Sequence, residues 1–172
     1  MRQADAIRSI PDVQQLLARG EAEVSAFWTD PITKVECRCR PDFVYPLSNS
    51  SVVLLDVKTF SNAAPDEFRR QCARKRYHVQ DTFYSMGFSA AAGVSVERFV
   101  FIVVETEWPY AAAAYMLGNE SREEGYLECH RLLDLYEECA RTGKWPSYTE
   151  KTTQIDLPSY AFTSKEVEIS YV

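Results

Sequence analysis

The stretch Arg98 to Glu105 constrains the fold most, because Phe99-Val-Phe-Ile-Val-Val104 is apolar at every position. A strand with one wet face alternates apolar and polar residues. A strand without alternation must be covered on both faces. This segment therefore belongs inside a sheet that carries other elements on each side, and Pro109 breaks it. It is far too short to span a bilayer.

The remaining pattern supplies the covering elements. Ser9-Ile10-Pro11-Asp12 reads as a helix start, with Val13, Leu16 and Leu17 on one face and Gly20 at the stop. Glu23 to Trp28 predicts a strand, and Thr29-Asp30-Pro31 a turn. Lys34 to Tyr45 predicts a second strand, with Val35, Cys37 and Cys39 facing one way and Glu36, Arg38 and Arg40 the other. Ser51 to Thr59 predicts a third, and short turns between the three suggest an antiparallel meander. Pro65-Asp66-Glu67 opens a helix expected to run to about Met86, with Gly87 near its end and a loop over Ala90 to Val94. Tyr110 to Leu117 is a further strand candidate, and Ser121 to Thr142 a long helix stopped at Gly143. The expected fold is α+β: a central mixed β-sheet flanked by helices, in one domain spanning residues 1–172. Residues 149–172 are expected to pack as a tail on the body or on a neighbouring subunit.

A chain of 172 residues with 46% apolar and 26% charged residues can build one ordinary core. The net charge of −6 weighs against a nucleic-acid binder, yet a count says nothing about distribution. Basic residues can line one groove while acidic ones sit at a metal site or on the outside. Five Cys without a Cys-x-x-Cys spacing read as reduced thiols, not as a zinc or iron–sulfur site. His78 and His130 have no partner at metal-ligand spacing and read as structural. No Gly-rich phosphate loop implies ATP. With no signal-like or membrane-spanning segment, a cytoplasmic location is expected.

The chemistry-bearing pattern is Pro41-Asp42 followed by Asp56-Val57-Lys58. Residues two apart on a strand share a face, so Asp56 and Lys58 point together. The 46–50 turn can bring Asp42 beside them. Two carboxylates and an ammonium suit phosphodiester hydrolysis, because Mg2+ or Mn2+ prefers carboxylate oxygens and polarises the phosphate. The Val57 carbonyl lies between the two side chains and can add a ligand. Lys58 can orient a water or stabilise the phosphorane charge. Alone, Asp-x-Lys is more often a surface ion pair. Here Asp56 follows an apolar run, where an unpaired charge is costly.

Cys39-Arg-Pro-Asp-Phe43, Leu55-Asp-Val-Lys-Thr59 and Tyr77-His-Val-Gln80 with Tyr84 together resemble the RecE-type exonucleases of the PD-(D/E)XK nuclease superfamily, relatives of the lambda-type enzymes. The resemblance extends from Glu23-Val-Ser-Ala-Phe-Trp28 to Gly143-Lys-Trp-Pro146. It implies that Asp42 and Asp56 are metal ligands, that Glu23 completes the metal site, and that Lys58 is the catalytic lysine. It implies that Gln80 and Tyr84, four apart on a helix, touch the active site or the DNA backbone. Arg69, Arg70, Arg74, Lys75 and Arg76 form the densest basic stretch and are read as phosphate contacts, with an ordinary solvated face as the alternative. The resemblance further implies 5′–3′ exonuclease action on linear double-stranded DNA in phage or prophage recombination. A homo-oligomeric ring, trimer or tetramer, and a single-strand annealing protein or recombinase as partner come with it. A structure-specific or restriction-like endonuclease on the same site, or a catalytically idle DNA- or protein-binding module, remain alternatives. Members of this family carry additional helices before the Glu23 segment, so substrate grip is the part of the likeness least covered here.

Overall fold

The computed structural model describes residues 2–162. In chain order the elements are α1 (Gln3–Arg8), α2 (Pro11–Leu16), β1 (Glu21–Ala22), β2 (Ala26–Thr29), β3 (Glu36–Cys39), β4 (Phe43–Pro46), β5 (Ser51–Phe60), α3 (Pro65–Lys75), α4 (Tyr77–Ala92), β6 (Ser95–Glu105), β7 (Ala112–Tyr115), α5 (Asn119–Thr142) and a 3-10 turn at Ser159–Ala161. The main sheet has the order β1-β4-β5-β6-β7 and is mixed. The β4–β5 and β6–β7 pairs are antiparallel, and β5–β6 is parallel. The apolar run lies in β6, between β5 and β7, and residues Phe99 to Val104 are all buried.

Alternation along β5 and β6 divides the core. Val52, Leu54, Phe99, Phe101 and Val103 face α3 and α4, packing on Phe68, Cys72 and Phe88. Val53, Leu55, Val100 and Ile102 face the other way and are covered by Val13 of α2, with Ile7 and Ile10 beside it. This is the layered, helix-flanked mixed sheet that the continuous apolar run requires.

Several boundaries differ from the sequence expectation, and each has a local cause. The strand expected over Glu23–Trp28 starts only at Ala26, as β2, and Glu23, in a left-handed backbone conformation with φ 58°, separates it from β1. The strand expected over Lys34–Tyr45 splits at Arg40-Pro41-Asp42. Its first half, β3, pairs with β2 in a separate two-stranded ribbon, while its second half, β4, joins the main sheet. A single meander does not form. The helix expected from Pro65 to Met86 breaks at Arg76, whose left-handed conformation (φ 59°) ends α3 and starts α4. Gly87 does not stop the helix. A Cβ there would lie 2.2 Å from the Trp28 ring, so the glycine makes room for β2 to pack on α4. Gly93, at φ 68°, is the actual stop. The helix α1 was not anticipated from the sequence pattern.

No helix among the described residues is long and apolar enough to cross a membrane. Residues 144–162 are exposed throughout, including Trp145, Tyr148, Ile155 and Tyr160. The rest of the expected tail, residues 163–172, lies outside the described residues.

Candidate active site

Strand periodicity puts Asp56 and Lys58 on the same face as Leu54, toward α3 and α4. The β4–β5 ladder stops at the pair Phe43–Leu55, one residue before Asp56. Beyond it, the Val57 amide has no β4 partner. Asp42, immediately ahead of β4, replaces the missing strand: its Oδ2 accepts a 2.7 Å hydrogen bond from Val57 N–H. A residue in a strand sends its N–H and C=O to the same edge. The Val57 carbonyl therefore also faces the Asp42 side.

Asp56 is only 4% exposed. Its Oδ2 accepts a 2.6 Å hydrogen bond from Gln80 Nε2 of α4. Its Oδ1 meets the Lys58 ammonium and has no aligned hydrogen-bond donor. Burial pushes the Asp56 carboxyl above the usual carboxylate range, with the nearby Asp42 charge acting in the same direction. Lys58 and Gln80 oppose that shift. The Lys58 Nζ also lies 4.8 Å from the centre of the Tyr77 ring, a cation–π contact.

Tyr77, Gln80 and Tyr84 form one stripe of α4, spaced three and four apart, and aim it at β5. Tyr84 is half-buried, and its carbonyl accepts a 3.9 Å contact from Cys39 Sγ. Burial, and then the charges of Asp56 and Asp42 among its neighbours, raise its hydroxyl pKa. The structure thus brings together Asp42, Asp56, Lys58, Gln80 and Tyr84. Tyr77 is an addition: it stands in the motif Tyr77-His-Val-Gln80 that carries the resemblance but had no role of its own there, and its i, i+3 relation to Gln80 was the available signal.

Glu23 is joined to this group through its backbone. Its N–H donates a 3.0 Å hydrogen bond to the Asp42 carbonyl. Its carboxylate instead pairs with Arg40, at 2.8 Å, and is largely exposed. Among the described residues no three His, Cys, Asp or Glu side chains converge as a ready metal cluster. The donor set present is two carboxylates with one carbonyl between them. That fits a hard divalent cation of the Mg2+ kind, which commonly takes one or two carboxylates and completes its shell with water. The buried Asp56 Oδ1, opposed by nothing but an ammonium, is the acceptor such an ion would satisfy.

The basic stretch does not form one face. Arg69 pairs with Asp66 at 3.3 Å, and Arg70 pairs with Glu67, both within α3. Arg76, at the helix break, pairs with Glu128 of α5. Arg74 and Lys75 are exposed in the last turn of α3. A mostly apolar hollow of about 540 Å3 lies between Phe68, Tyr115 and Leu117, and of the expected site residues only Arg69 lines it.

A family model described as "PDDEXK-like domain of unknown function (DUF3799)" matches residues 2–158. Among solved structures, the chain is similar to a candidate exonuclease from Eubacterium rectale, with TM-score 0.56 and 10% identity, over 90% of this chain and 60% of that one. The chain thus spans about 60% of the length of that protein. At 10% identity the likeness concerns the fold alone. An alkaline exonuclease from Laribacter hongkongensis aligns with TM-score 0.34 and 10% identity, over 82% of this chain and 72% of that one. A comparison with curated proteins gave no match.

Proposed function

The chain belongs to the PDDEXK-like family, and on that premise we propose that it is a divalent-metal-dependent deoxyribonuclease acting from the ends of linear double-stranded DNA. The observation that carries this reading is the Asp56 carboxylate, buried between Lys58 and Gln80, with Asp42 anchored one residue away on the Val57 amide. A carboxylate kept this dry without a core function would be a net cost to folding.

In this reading Asp42, Asp56 and the Val57 carbonyl would hold Mg2+ or Mn2+, with Glu23, which pairs with Arg40 here, as the further ligand that the resemblance implies. When bound, the cation supplies Lewis-acid polarisation of the phosphodiester. The residues of the chain do the rest. The Val57 amide fixes Asp42 Oδ2, and Oδ1 has no hydrogen bond among the described residues. Gln80 fixes the plane of Asp56. Lys58 lies beside Asp56 with its Nζ over the Tyr77 ring. From there its ammonium can hold the attacking water in line and stabilise the negative charge on the phosphorane. Water oxygen bonds to phosphorus and gives up one proton to solvent, the bond to the leaving sugar oxygen breaks, and that oxygen takes up a proton from solvent. Of the basic stretch, Arg74 and Lys75, exposed in the last turn of α3, contact phosphates farther along the duplex, and Arg69, Arg70 and Arg76 do so only by leaving Asp66, Glu67 and Glu128. Polarity from the 5′ end, a trimeric or tetrameric ring, a cytoplasmic setting and a recombination partner that anneals single strands complete the proposal, on the strength of the RecE-type resemblance.

Linear and covalently closed duplexes of the same sequence test it. The proposal expects Mg2+- or Mn2+-dependent loss of the linear form only, about a hundredfold or more slower with Lys58→Ala. Closed circles cut as fast as linear ends would make the site an endonuclease's. Unchanged hydrolysis by Lys58→Ala would remove Lys58 from the chemistry.

A further inference from the structure

The ribbon β2–β3 carries a second feature. Its inner face, Ala26, Trp28, Cys37 and Cys39, packs toward the core. Its outer face presents Phe27 directly across from Arg38. Phe27 is 67% exposed, although nothing in a two-stranded ribbon requires a ring there. Arg40 follows Arg38 on the same face by strand periodicity. A cleft of about 360 Å3 opens between Ser25, Phe27, Arg38, Cys39, Arg40 and Tyr84. Tyr84 is its link to the chemistry, because that ring lies within reach of the Asp42 and Asp56 charges.

The charge order along this face is Glu36, Arg38, Arg40 and then Pro41-Asp42, so the positive pole lies at the end nearest the carboxylates. Arg38 makes no ion pair among the described residues. Arg40 is held by Glu23 at 2.8 Å, which leaves the cleft with one net positive charge from these three groups. The turn at the far end is rigid: the buried Asp30 accepts hydrogen bonds from the Ile32 and Thr33 amides and the Thr33 hydroxyl. The ribbon is thus a fixed platform with a bare aromatic ring and two guanidinium groups.

We propose that this cleft receives one unpaired nucleotide of the strand being cut, with its base stacked on Phe27 and its phosphate on Arg38 and Arg40. An aromatic platform beside basic side chains is the recognition chemistry of single-stranded nucleic acid. Stacking requires a base free of its partner, so the strand must be separated from the duplex before it reaches Asp42 and Asp56. This inference rests on the nuclease reading and names the form in which the substrate enters the site.

Binding of a short fluorescein-labelled oligothymidylate in EDTA, followed by anisotropy, tests it without hydrolysis. Phe27→Ala should weaken binding about tenfold, and Phe27→Trp should restore it. Arg38→Ala should weaken binding and reduce the slope of log K against log salt by about one. Arg141→Ala, which removes the same charge from α5, should leave binding as it was. Thermal melting of each variant identifies any loss of fold. Parent-like binding by folded Phe27→Ala, or no binding by the parent, would overturn the cleft. Phe27-dependent binding by a protein that hydrolyses no DNA would overturn the nuclease reading and leave the cleft standing.

Discussion

Asp81 follows Gln80 on α4 but points away from the active site, toward α5, where it is 1% exposed. Its Oδ1 lies 3.5 Å from Arg122 Nε and accepts a 3.3 Å hydrogen bond from Ser85. Burial raises its pKa to about 6, against the opposing pull of Arg122 and Ser85. The ordinary value is about 3.9, so the shift is roughly two units at about 1.4 kcal/mol each, or about 3 kcal/mol. The folded state holds the proton more tightly than the unfolded chain. The stabilisation is therefore complete below the unfolded pKa and is lost as pH rises through about 6. Asp81→Asn has no proton to release. Urea unfolding followed by Trp fluorescence, at a series of pH values, gives the difference between the parent and this variant. That difference should move against the parent by about 3 kcal/mol between roughly pH 3.5 and pH 7. Parallel curves, or a parent that gains on the variant as pH rises, would refute the reasoning. They would show that the Arg122 charge outweighs burial and that Asp81 folds ionised.

Three further outcomes are expected. Lys58→Ala should lower DNA hydrolysis about a hundredfold or more, the scale of losing one preorganised charge at a reacting phosphate, as read by end-labelled product formation. Gln80→Ala removes a hydrogen bond to an ionised group, about 1.5–3 kcal/mol, and should slow hydrolysis about ten- to hundredfold in single-turnover kinetics. Gly87→Ala should destabilise the fold by about 1–2 kcal/mol in urea, since overpacking against Trp28 outweighs the gain in helix propensity, and a stabilised variant would contradict the packing account.

The sequence made the layered sheet legible because β6 cannot be wet on either face. It also made Asp42, Asp56, Lys58 and Gln80 legible, because their spacing survives as shared strand and helix faces. What it hid was backbone curvature. Glu23 and Arg76 turn the chain at positive φ without glycine, and neither residue type announces that. Gly87 carried a real signal that pattern reading took for a helix stop, whereas its cause is the Trp28 ring from a distant strand. The basic stretch read as a unit because sequence proximity hides the turn at Arg76 and the acidic partners that divide it. The antiparallel meander anticipated that these two strands pair, but not the register that sets Phe27 opposite Arg38.

The most direct test of the central claim is a digestion time course on end-labelled linear duplex, comparing the parent with Asp56→Asn. The account predicts label release by the parent with Mg2+ or Mn2+, none in EDTA, and none by a folded Asp56→Asn with either metal. Release that persists in EDTA, or in the Asp56→Asn variant, would contradict it.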